Sequence, residues 1–413
     1  MASVLVIDST PALREPVLEA LRQAGHTVTA CIDGVDGFEL ACKQAFDVIA
    51  LDLLTTRLHG FELIQSLRRN YSTLRTPIVA FTDKIYPSDQ REAAALGADR
   101  VVDRLLGPGP IAAAVTAEAE SLRVTFWGVR GSIASPGPDT MRYGGNTPCV
   151  TLTHSGRTLI LDAGTGIRRL GLIMQAEARG AGIEVDLLVT HTHWDHIQGF
   201  PFFVPAYLPK NTVRVYGPRS LAKPLDKVLR GQMDPEYFPV ALGDMAATIS
   251  IHDVREQELV IGPFTVTHAY MNHPSVTLGY RVTAGGKTVT YATDTEPFGG
   301  LLSATEGAAP DDARRKLDDR LLVLSRDADL CISDAQYTAA EYKSRVGWGH
   351  SAADDTVTLA AEARVKRLAL FSHDPMQDDD SIDAKVAAGR AQADTLGGGL
   401  EVFAAREGQV VRL

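Results

Sequence analysis

The stretch THTHWDH, residues 190–196, follows the apolar run VDLLVT (185–190), which predicts a buried β-strand. Alternation along an extended chain would place His191 and His193 on one face, and a turn into a helix would bring the last histidine near them. Imidazole and carboxylate groups at such spacing are typical ligands of Zn²⁺, and also of Mn²⁺ or Fe²⁺. A catalytic ion with an open coordination position needs fewer than four protein ligands, so four candidates in one motif indicate part of a two-metal site. The four are His191, His193, Asp195 and His196.

An HxHxDH motif after a strand resembles the metallo-β-lactamase superfamily, and the resemblance extends over about 123–413. It implies an αββα sandwich with two divalent metal ions, for which Zn²⁺ is expected and Mn²⁺ or Fe²⁺ are alternatives. The superfamily's first motif, an aspartate at a strand end, matches Asp162 in LDAG. Its later motifs match three residues downstream: His273 in NHPSVTLGYR, Asp294 in TVTYATDTE and His373 in RLALFSHDP.

The resemblance gives each of these residues a role at the metal ions. It implies His191, His193 and His273 on one ion, Asp195, His196 and His373 on the other, and Asp294 as the bridge. Asp195 is therefore an expected catalytic residue as well as a ligand. Such a pair of ions can ready a water for attack and clamp the oxygens of a phosphate.

Residues 1–120 have a different pattern, because short β-rich runs alternate with helical segments. Such alternation predicts a five-stranded parallel sheet with helices on both faces and a site at the carboxyl ends of the strands. Asp8, Asp52 and Thr82 each follow a predicted strand end and are expected to converge there. The predicted strands are residues 3–7, 27–32, 47–51, 77–81 and 99–103.

This arrangement resembles the receiver domain of two-component response regulators, which has a flavodoxin-like fold. The resemblance implies that Asp52 accepts a phosphoryl group, with a histidine kinase as partner and Mg²⁺ beside it. Two residues depart from the family pattern: Ser9 stands where a second acidic residue is usual, and Arg104 replaces a lysine. A hydroxyl substitutes poorly for a carboxylate at Mg²⁺, and arginine lacks the compact ammonium group. Phosphorylation of Asp52 and a degenerate receiver kept for dimerisation or packing therefore both stay open, and a homodimer is expected.

Charge and composition limit the partners of the chain. The domain boundary is expected near a new strand at 123–129, giving a receiver-like domain at 1–121 and a hydrolase domain at 122–413. The formal charge of −10, from 41 basic and 51 acidic residues, argues against broad docking on nucleic acid, which needs a basic surface. The sequence contains no apolar run of about 18 residues and no signal-peptide pattern, and its four scattered cysteines are typical of free thiols in a reducing cytoplasm.

Two stretches of the second part indicate phosphodiester chemistry. DADLCISDAQYT (327–338) contains Asp334, and GWGHSAADDTVTLAAEA (347–363) contains His350 just before a predicted helix. They resemble an acidic residue and a histidine of the tRNA 3′-end-processing ribonucleases and related phosphodiesterases, where the histidine is thought to protonate the leaving oxygen. An imidazole oriented by a carboxylate can supply that proton near neutral pH. The alternative is that His350 only caps the following helix.

The interval between two of the implied ligands favours a small substrate. Asp294 follows His273 by 21 positions, enough for a hairpin but not for the long RNA-binding arm that tRNA-processing enzymes commonly carry. A polar helical stretch or lid is predicted over 299–320. Four residues of the glycine-rich loop after the first strand of this part are candidates for substrate binding, with a purely structural role as the alternative: Arg130, Arg142, Tyr143 and Asn146.

The expected function is a cytoplasmic, metal-dependent phosphodiesterase for a 3′,5′-cyclic nucleotide or similar small phosphodiester, with an N-terminal regulatory or dimerising domain. Three alternatives stay open. The same metal core could serve a tRNA 3′-end-processing-type ribonuclease, or a lactonase or thioesterase that depends little on His350. The third is a non-catalytic ligand sensor, against which the complete set of implied ligands argues. No membrane partner is expected, and a nucleic-acid partner is disfavoured by the charge.

Overall fold

A computed structural model describes residues 1–83, 86–219, 223–255, 258–297 and 319–413. The chain divides into two compact units. The first comprises Met1–Ser121 and Leu172–Ile183, and the second comprises Leu122–Gly171 and Glu184–Leu413. Within the described ranges, no helix combines the length and the apolar character that crossing a membrane requires.

The first unit is built on a parallel sheet, which has five strands among the described residues in the order β2-β1-β3-β4-β5. The strands are β1 Ser3–Ile7, β2 Thr27–Cys31, β3 Val48–Asp52, β4 Ile78–Thr82 and β5 Arg100–Asp103. They confirm the predicted strands to within one residue at each end. β3 and β4 are buried along their whole length, as expected of central strands with helices on both faces.

Helices connect these strands, and buried apolar side chains form a core on each face of the sheet. They are α1 Pro11–Gln23, α2 Gly34–Lys43, α3 Gly60–Arg69, α4 Pro87–Leu96 and α5 Pro108–Glu120. α2 begins where it does because the Asp33 carboxylate accepts hydrogen bonds from the backbone N–H groups of Val35 and Asp36. Since all five strands are parallel, their carboxyl ends lie along one edge of the sheet.

The second unit is a sandwich of two sheets, each with seven strands among the described residues. The strands of one sheet are β6 Arg123–Gly128, β7 Cys149–His154, β8 Arg157–Leu161, β9 Glu184–Leu188, β10 Thr212–Gly217, β11 Thr248–Asp253 and β19 Val410–Arg412. Across this sheet they lie in the order β11-β10-β9-β8-β7-β6-β19. The other runs in sequence order and contains β12 Glu258–Ile261, β13 Phe264–Tyr270, β14 Leu278–Ala284, β15 Lys287–Ala292, β16 Leu330–Asp334, β17 Arg367–Phe371 and β18 Glu401–Ala404. Buried apolar residues from both sheets, Phe126 and Tyr280 among them, form one core between the sheets.

Helices cover the outer faces of this sandwich, which gives the expected αββα arrangement. α6 (Ile167–Glu177) starts in the second unit, and its residues from Leu172 are part of the first. The remaining helices are α7 Trp194–Ile197, α8 Leu225–Gly231, which packs on β11, α9 Ala339–Tyr342, and α10 Ala353–Glu362 with α11 Asp379–Leu396, which pack on the second sheet. The stretch predicted as helical or a lid over 299–320 lies outside the described residues as far as 318.

Strand ends of the second unit carry the residues of the candidate site. Asp162 follows β8, the motif at 190–196 follows β9, and Asp294 follows β15. Asp334 is the last residue of β16, and His373 lies two residues beyond β17. β8 pairs in parallel with β9, and β15, β16 and β17 are also parallel, so each group of carboxyl ends lies at one edge.

Candidate metal and catalytic site

The motif at 190–196 forms a loop followed by one turn of helix. β9 ends at Leu188, so the strand is shorter than predicted and the first two histidines lie in a loop. α7 begins at Trp194, and this helical turn brings the second half of the motif back towards the loop, as predicted. The ring centroids of His191 and His196 are consequently only 4.2 Å apart.

Three histidines form the first candidate ion position. Ligand atoms of His191, His193 and His273 all lie within 4.8 Å of one another. The Gly349 carbonyl oxygen accepts a hydrogen bond from His273 Nδ1 at 2.8 Å, which fixes the tautomer and directs the other ring nitrogen, Nε2, towards His193 Nδ1 at 3.0 Å. Burial lowers the pKa of each of the three histidines, so the rings are neutral, as metal binding requires.

Asp294 lies among the histidines from both halves of the cluster. Its Oδ2 atom is 3.2 Å from His196 Nε2, 3.6 Å from His191 Nε2 and 3.9 Å from His273 Nε2. The Thr293 hydroxyl donates to Oδ1 at 2.6 Å and so holds the carboxylate in this orientation. A single oxygen that faces three imidazoles is placed where a ligand shared by two ions would be.

Asp162 orients His196. One of its oxygens accepts hydrogen bonds from His196 Nδ1 at 2.8 Å and from the Tyr291 hydroxyl at 2.9 Å. The other accepts the Thr190 backbone N–H at 2.7 Å. His196 Nε2 is therefore left as the available ligand atom, and Asp195 Oδ2 lies 3.3 Å from it.

The buried atoms of the cluster fit a divalent cation. Among the residues that the structure describes, His191 Nε2 and His196 Nε2 are buried and have no hydrogen-bond partner, which is costly unless a ligand engages them. Burial lowers the pKa of His196, but three neighbouring carboxylates outweigh burial and raise the pKa well above its usual value. The cluster thus favours positive charge at this point, and its imidazole and carboxylate donors suit Zn²⁺, Mn²⁺ or Fe²⁺.

His350 and Asp334 form a hydrogen-bonded pair at the same cluster. His350 Nδ1 donates to Asp334 Oδ2 at 2.7 Å, and the Asp334 carboxylate, which is fully buried, also accepts backbone N–H groups. The N-cap residue of α10 is Ala352, so the alternative that His350 caps this helix is not supported. A ring nitrogen of His350 lies within 4.8 Å of ligand atoms of His273 and Asp294.

The protonation of His350 differs from that of the three histidines of the first position. Burial lowers the pKa of His350, but the carboxylates of Asp334 and Asp294 outweigh burial and raise the pKa to about 9. The raised pKa favours the protonated ring at neutral pH, and a protonated imidazole can act as a proton donor. A cavity of about 460 Å³ is lined by Ser132, Thr192, His193, Trp194, Asp195, Asp294 and His350, so donor and ion positions share one space.

Within the described ranges, the structure does not place His373 in a group of candidate ligand atoms, although its Nδ1 is buried without a hydrogen-bond partner, so its role as a metal ligand stays a prediction. Its Nε2 donates to the Ala405 carbonyl oxygen at 2.9 Å, and the ring packs edge-on against Tyr143 with centroids 5.6 Å apart. Its backbone N–H donates to Val129 and its carbonyl accepts from Gly131, which fixes the residue beside that segment.

Arg130, predicted to bind substrate phosphate, is a buried framework residue instead. Its side chain is completely buried. The guanidinium donates to the carbonyl oxygens of Gly144, Asp374 and Gln377, at 3.0, 3.0 and 2.6 Å. The prediction is corrected because these three backbone contacts, which sequence does not reveal, hold the guanidinium inside the fold, and Arg130 does not line the 460 Å³ cavity.

The other three predicted substrate-binding residues are likewise held by other parts of the second unit. Arg142 and Tyr143 bond to carboxylates in the first turns of α11. Asn146 donates to Glu407 from its backbone and from its side-chain amide, at 2.6 and 2.9 Å. None of these residues lines the 460 Å³ cavity, so the structure supports the structural alternative for each of them.

Three residues that line the cavity, Ser132, Thr192 and Trp194, were not among the predicted site residues. Ser132 donates its backbone N–H to Asp195 Oδ2 at 2.8 Å, a contact that leaves no side-chain signal in the sequence. Trp194 is 80% exposed and lies at the mouth of the ion positions. The exposure of Trp194 could have been expected from the sequence. A tryptophan within a metal-ligand motif at the start of a helix has little of the hydrophobic core to pack against.

Glu296 was also missed, although it supports both the ligand and the proton donor. Its carboxylate accepts the Tyr342 hydroxyl at 2.6 Å and backbone N–H groups of the loop before His350, including that of Gly349 at 3.0 Å. Gly349 has a φ of +83°, and a Cβ atom there would lie 2.4 Å from His273 Nδ1, so the close approach requires glycine. One buried carboxylate thereby fixes the loop that joins His273 to His350.

The receiver-like site of the first unit is occupied by the chain's own cation. Arg104 donates to Asp52 Oδ2 at 3.1 Å and to Asp8 Oδ2, and all three side chains are buried. Ser9 bonds to Thr56 and not to either carboxylate. The predicted convergence of Asp8 and Asp52 is confirmed, whereas phosphorylation of Asp52 and Mg²⁺ binding remain predictions.

Models of two protein families match the chain. The model described as a beta-lactamase superfamily domain matches residues 157–373, which is more than half of the 413 residues. The model described as a response regulator receiver domain matches residues 4–116.

Individual relatives match one part or the other. RpaA of Synechocystis, a DNA-binding dual master transcriptional regulator, is 34% identical over 99 residues, which are 24% of this chain and 41% of RpaA, so the chain spans less than half of that relative. Ribonuclease Z of Gemmatimonas aurantiaca is 24% identical over 281 residues, 60% of this chain and 86% of the relative. The metallo-β-lactamase fold protein YhfI of Bacillus subtilis is 20% identical, with a TM-score of 0.48, and covers 71% of this chain and 100% of YhfI. From the family models, the chain belongs to the beta-lactamase superfamily and carries a response regulator receiver domain at its N-terminal end.

Proposed function

We propose that this chain is a metal-dependent phosphodiesterase that hydrolyses a 3′,5′-cyclic nucleotide or a similar small phosphodiester. The observation that supports the proposal is the hydrogen bond between His350 and Asp334, because His350 lines the same cavity as Asp195 and Asp294. Cleavage of an unactivated phosphodiester leaves an alkoxide, and such a leaving group gains most from a positioned proton donor.

The proposal assigns the ligand groups to two divalent cations, with Zn²⁺ expected at the three-histidine position. Bound cations would supply Lewis acidity at the phosphate and lower the pKa of a water molecule. The chain itself orients the ligand atoms, because Asp162 and the Gly349 carbonyl fix the tautomers of His196 and His273.

His350 is the proposed donor to the leaving 3′ oxygen. Asp334 accepts from Nδ1, so the other ring nitrogen is free to hold a proton for the substrate. The pKa of about 9 keeps that proton in place at neutral pH, since the carboxylates of Asp334 and Asp294 outweigh the effect of burial. Asp334 thus acts by orienting and charging His350 and does not itself meet the substrate.

The size of the site supports a small substrate. A cavity of about 460 Å³ lies within the range typical of small-molecule sites. Between His273 and Asp294 the chain forms the antiparallel strands β14 and β15, joined at Ala284 and Lys287, so the interval is taken up by a short hairpin. The formal charge of −10 also disfavours a long polyanion.

A ribonuclease of the ribonuclease Z type is the second candidate. The match to ribonuclease Z of Gemmatimonas aurantiaca over 281 residues favours it, because that relative shares most of its own length with this chain. The two candidates require the same ions and the same proton donor. They differ in the length of substrate that must be bound beyond the scissile phosphate.

A substrate panel separates the candidates. The full chain, loaded with Zn²⁺ or Mn²⁺, would be assayed with 3′,5′-cyclic mononucleotides, bis(p-nitrophenyl) phosphate, pre-tRNA and a simple lactone. We expect turnover of the cyclic nucleotides and of bis(p-nitrophenyl) phosphate. Turnover of pre-tRNA alone would replace the proposal by the ribonuclease, and turnover of the lactone alone would replace phosphodiester chemistry by ester hydrolysis.

A further inference from the structure

Two of the three tryptophans of the chain are exposed, and both lie beside residues of the candidate site. Trp194 is 80% exposed, and Trp348 is 60% exposed. Trp127, in contrast, is buried, and its Nε1 donates to the Thr151 hydroxyl at 3.0 Å. Tryptophan is on average a highly buried residue, so two exposed indoles at one site indicate a surface that binds a ligand.

The ring of His273 connects the two exposed tryptophans through their neighbours in the chain. His273 Nε2 lies 3.0 Å from Nδ1 of His193, the residue before Trp194. His273 Nδ1 donates at 2.8 Å to the carbonyl oxygen of Gly349, the residue after Trp348. Each tryptophan is thus one residue away from a group that contacts the same imidazole. The backbones of both tryptophans are therefore anchored to the three-histidine position.

The cavity lined by Trp194 also contains the groups that would act on a phosphate. Its lining includes two candidate metal ligands, Asp195 and Asp294, and the proposed proton donor, His350. His350 follows Trp348 by two positions, so the donor and the second indole belong to one short loop. A ligand with a phosphate group and a flat aromatic ring would match both the charged and the apolar parts of this site.

The loop that carries Trp348 is held in place although the tryptophan itself is exposed. The backbone N–H of Trp348 donates to the Arg345 carbonyl oxygen at 3.1 Å. The N–H groups of Gly347 and Gly349 donate to the Glu296 carboxylate at 2.8 and 3.0 Å. The other exposed indole is carried by the first residue of α7. Rings on fixed backbones bind a flat partner with a small loss of conformational entropy.

We propose that Trp194 and Trp348 stack on the base of a nucleoside phosphodiester and so select nucleotides over phosphodiesters without a base. The proposal rests on the proposed function, because it names the substrate group that is recognised beyond the phosphate. Stacking of a base on an aromatic side chain typically strengthens binding by about 5-fold to 100-fold. Every common base has a π-face, so the identity of the base should matter little.

Two substrates that differ in the base test the proposal with the full chain loaded with Zn²⁺. They are 3′,5′-cyclic AMP and the 3′,5′-cyclic phosphate of methyl β-D-ribofuranoside, in which a methoxy group replaces the base. We expect KM to be about 5-fold to 100-fold higher for the base-free substrate. The two kcat values should be similar, since stacking is the same in the ground state and the transition state. Equal KM values would overturn the proposal and leave the proposed function intact.

Variants assign the selectivity to the two indoles. Trp194→Leu and Trp348→Leu should each raise KM for cyclic AMP about 5-fold to 100-fold and leave KM for the base-free substrate unchanged. Trp194→Phe, which keeps an aromatic ring, should recover most of the loss. The matched control is Tyr86→Leu, at an exposed aromatic residue of the first unit. An equal change on both substrates would assign the tryptophans to folding or metal binding and overturn the proposal.

Intrinsic fluorescence tests the stacking without turnover. The Zn²⁺-loaded chain is titrated with 5′-AMP, the expected product, and with ribose 5-phosphate, which has no base. A stacked base should quench the two exposed indoles, while the buried Trp127 provides a constant background. Absence of quenching by 5′-AMP, or equal quenching by both compounds, would overturn the proposal. Quenching by 5′-AMP alone would support it, even if no phosphodiester were hydrolysed and the proposed function therefore failed.

Discussion

Two buried clusters of charged side chains, one in each unit, differ in how their charges are met. In the first unit, the carboxylates of Asp8 and Asp52 are both bonded to the guanidinium of Arg104. In the second unit, the buried atoms His191 Nε2 and His196 Nε2 have no hydrogen-bond partner among the described residues. The two carboxylates of the first cluster are paired with a cation of the chain, although Arg104 Nε has no partner among the residues that the structure describes, whereas the second cluster leaves imidazole nitrogens available to an added cation.

This difference separates a packed charge cluster from a candidate binding site. Buried polar groups are normally satisfied, so an exception indicates a ligand or a function. Both clusters consist of residues at strand ends, so the sequence pattern alone does not tell them apart. Only the positions of their hydrogen-bond partners distinguish them, and the following predictions test that distinction in order of expected effect.

Asp294→Asn should have the largest effect, because the substitution removes the charge shared by the two ion positions. Phosphodiesterase activity should fall on the order of 10⁴-fold, since metal-ion stabilisation contributes several kcal/mol to the transition state. The matched control is Asp244→Asn, at an exposed aspartate outside the cluster. Steady-state kinetics on bis(p-nitrophenyl) phosphate provide the measurement, and equal activity of the two variants would contradict the role of Asp294.

Arg104→Ala should leave the carboxylates of Asp8 and Asp52 without their positively charged partner. Removal of the guanidinium leaves two buried carboxylates without a counter-charge, so the free energy of unfolding should fall by about 3–5 kcal/mol. Mg²⁺ should recover part of this loss, because carboxylate oxygens are its preferred ligands. Chemical denaturation with and without Mg²⁺ measures the effect against Arg91→Ala, at an exposed arginine of α4. If the two variants unfold alike, Arg104 does not hold the cluster together.

His350→Ala should reduce turnover of a cyclic nucleotide by about 10² to 10³, the usual contribution of a general acid. The loss should be much smaller with bis(p-nitrophenyl) phosphate, because p-nitrophenolate departs without a proton. His252→Ala, at an exposed histidine of β11, is the control. The ratio of the two losses of turnover decides whether His350 donates a proton. An equal loss of turnover on both substrates would assign His350 to metal binding instead of proton transfer.

Glu296→Gln should weaken the support of the three-histidine position. The amide would direct a donor at backbone N–H groups that now donate to the carboxylate, and so shift the Gly349 carbonyl that orients His273. Zn²⁺ affinity at this position should fall about 10-fold to 100-fold, as is usual when the partners of a metal ligand are changed. Chelator competition measures this against Glu401→Gln, at an exposed residue of β18. An unchanged affinity would mean that the loop holds its place without Glu296.

Asp334→Asn should change the pH dependence of turnover. Activity requires protonated His350, so it should be lost as pH rises through the pKa of His350 at about 9. Among the groups that raise this pKa against the effect of burial, Asp334 is the largest. The alkaline limb of the kcat profile should therefore move to lower pH by about one unit in the variant. A limb that stays in place would show that another group controls it.

Sequence predicted the elements that local patterns determine. The five strands of the first sheet follow from apolar runs between helical segments, and their bounds differ from the prediction by at most one residue. The motif at 190–196 and its resemblance also selected His273 and Asp294, which the structure brings within 4.8 Å of the motif histidines. These residues follow strands whose carboxyl ends lie at shared edges, so topology alone brings them near one another.

Sequence could not predict contacts that depend on partners far along the chain. His373 lies at the expected strand end, but its ring is directed by the Ala405 carbonyl beyond β18. Arg130 and Asn146 were candidates because of their residue type, and their actual partners, Gln377 and Glu407, are more than two hundred positions away. Nothing in the local pattern distinguishes a free guanidinium from one that is already bonded.

Anomalous diffraction from crystals grown with both Zn²⁺ and Mn²⁺ tests the central contrast most directly. The account predicts an anomalous peak among His191, His193 and His273, at about 2.0–2.3 Å from their ring nitrogens, and no peak between Asp8 and Asp52. Absence of a peak at the histidines would contradict the account. A peak beside Asp52 with Arg104 displaced would show that the receiver cluster, too, is open to a cation.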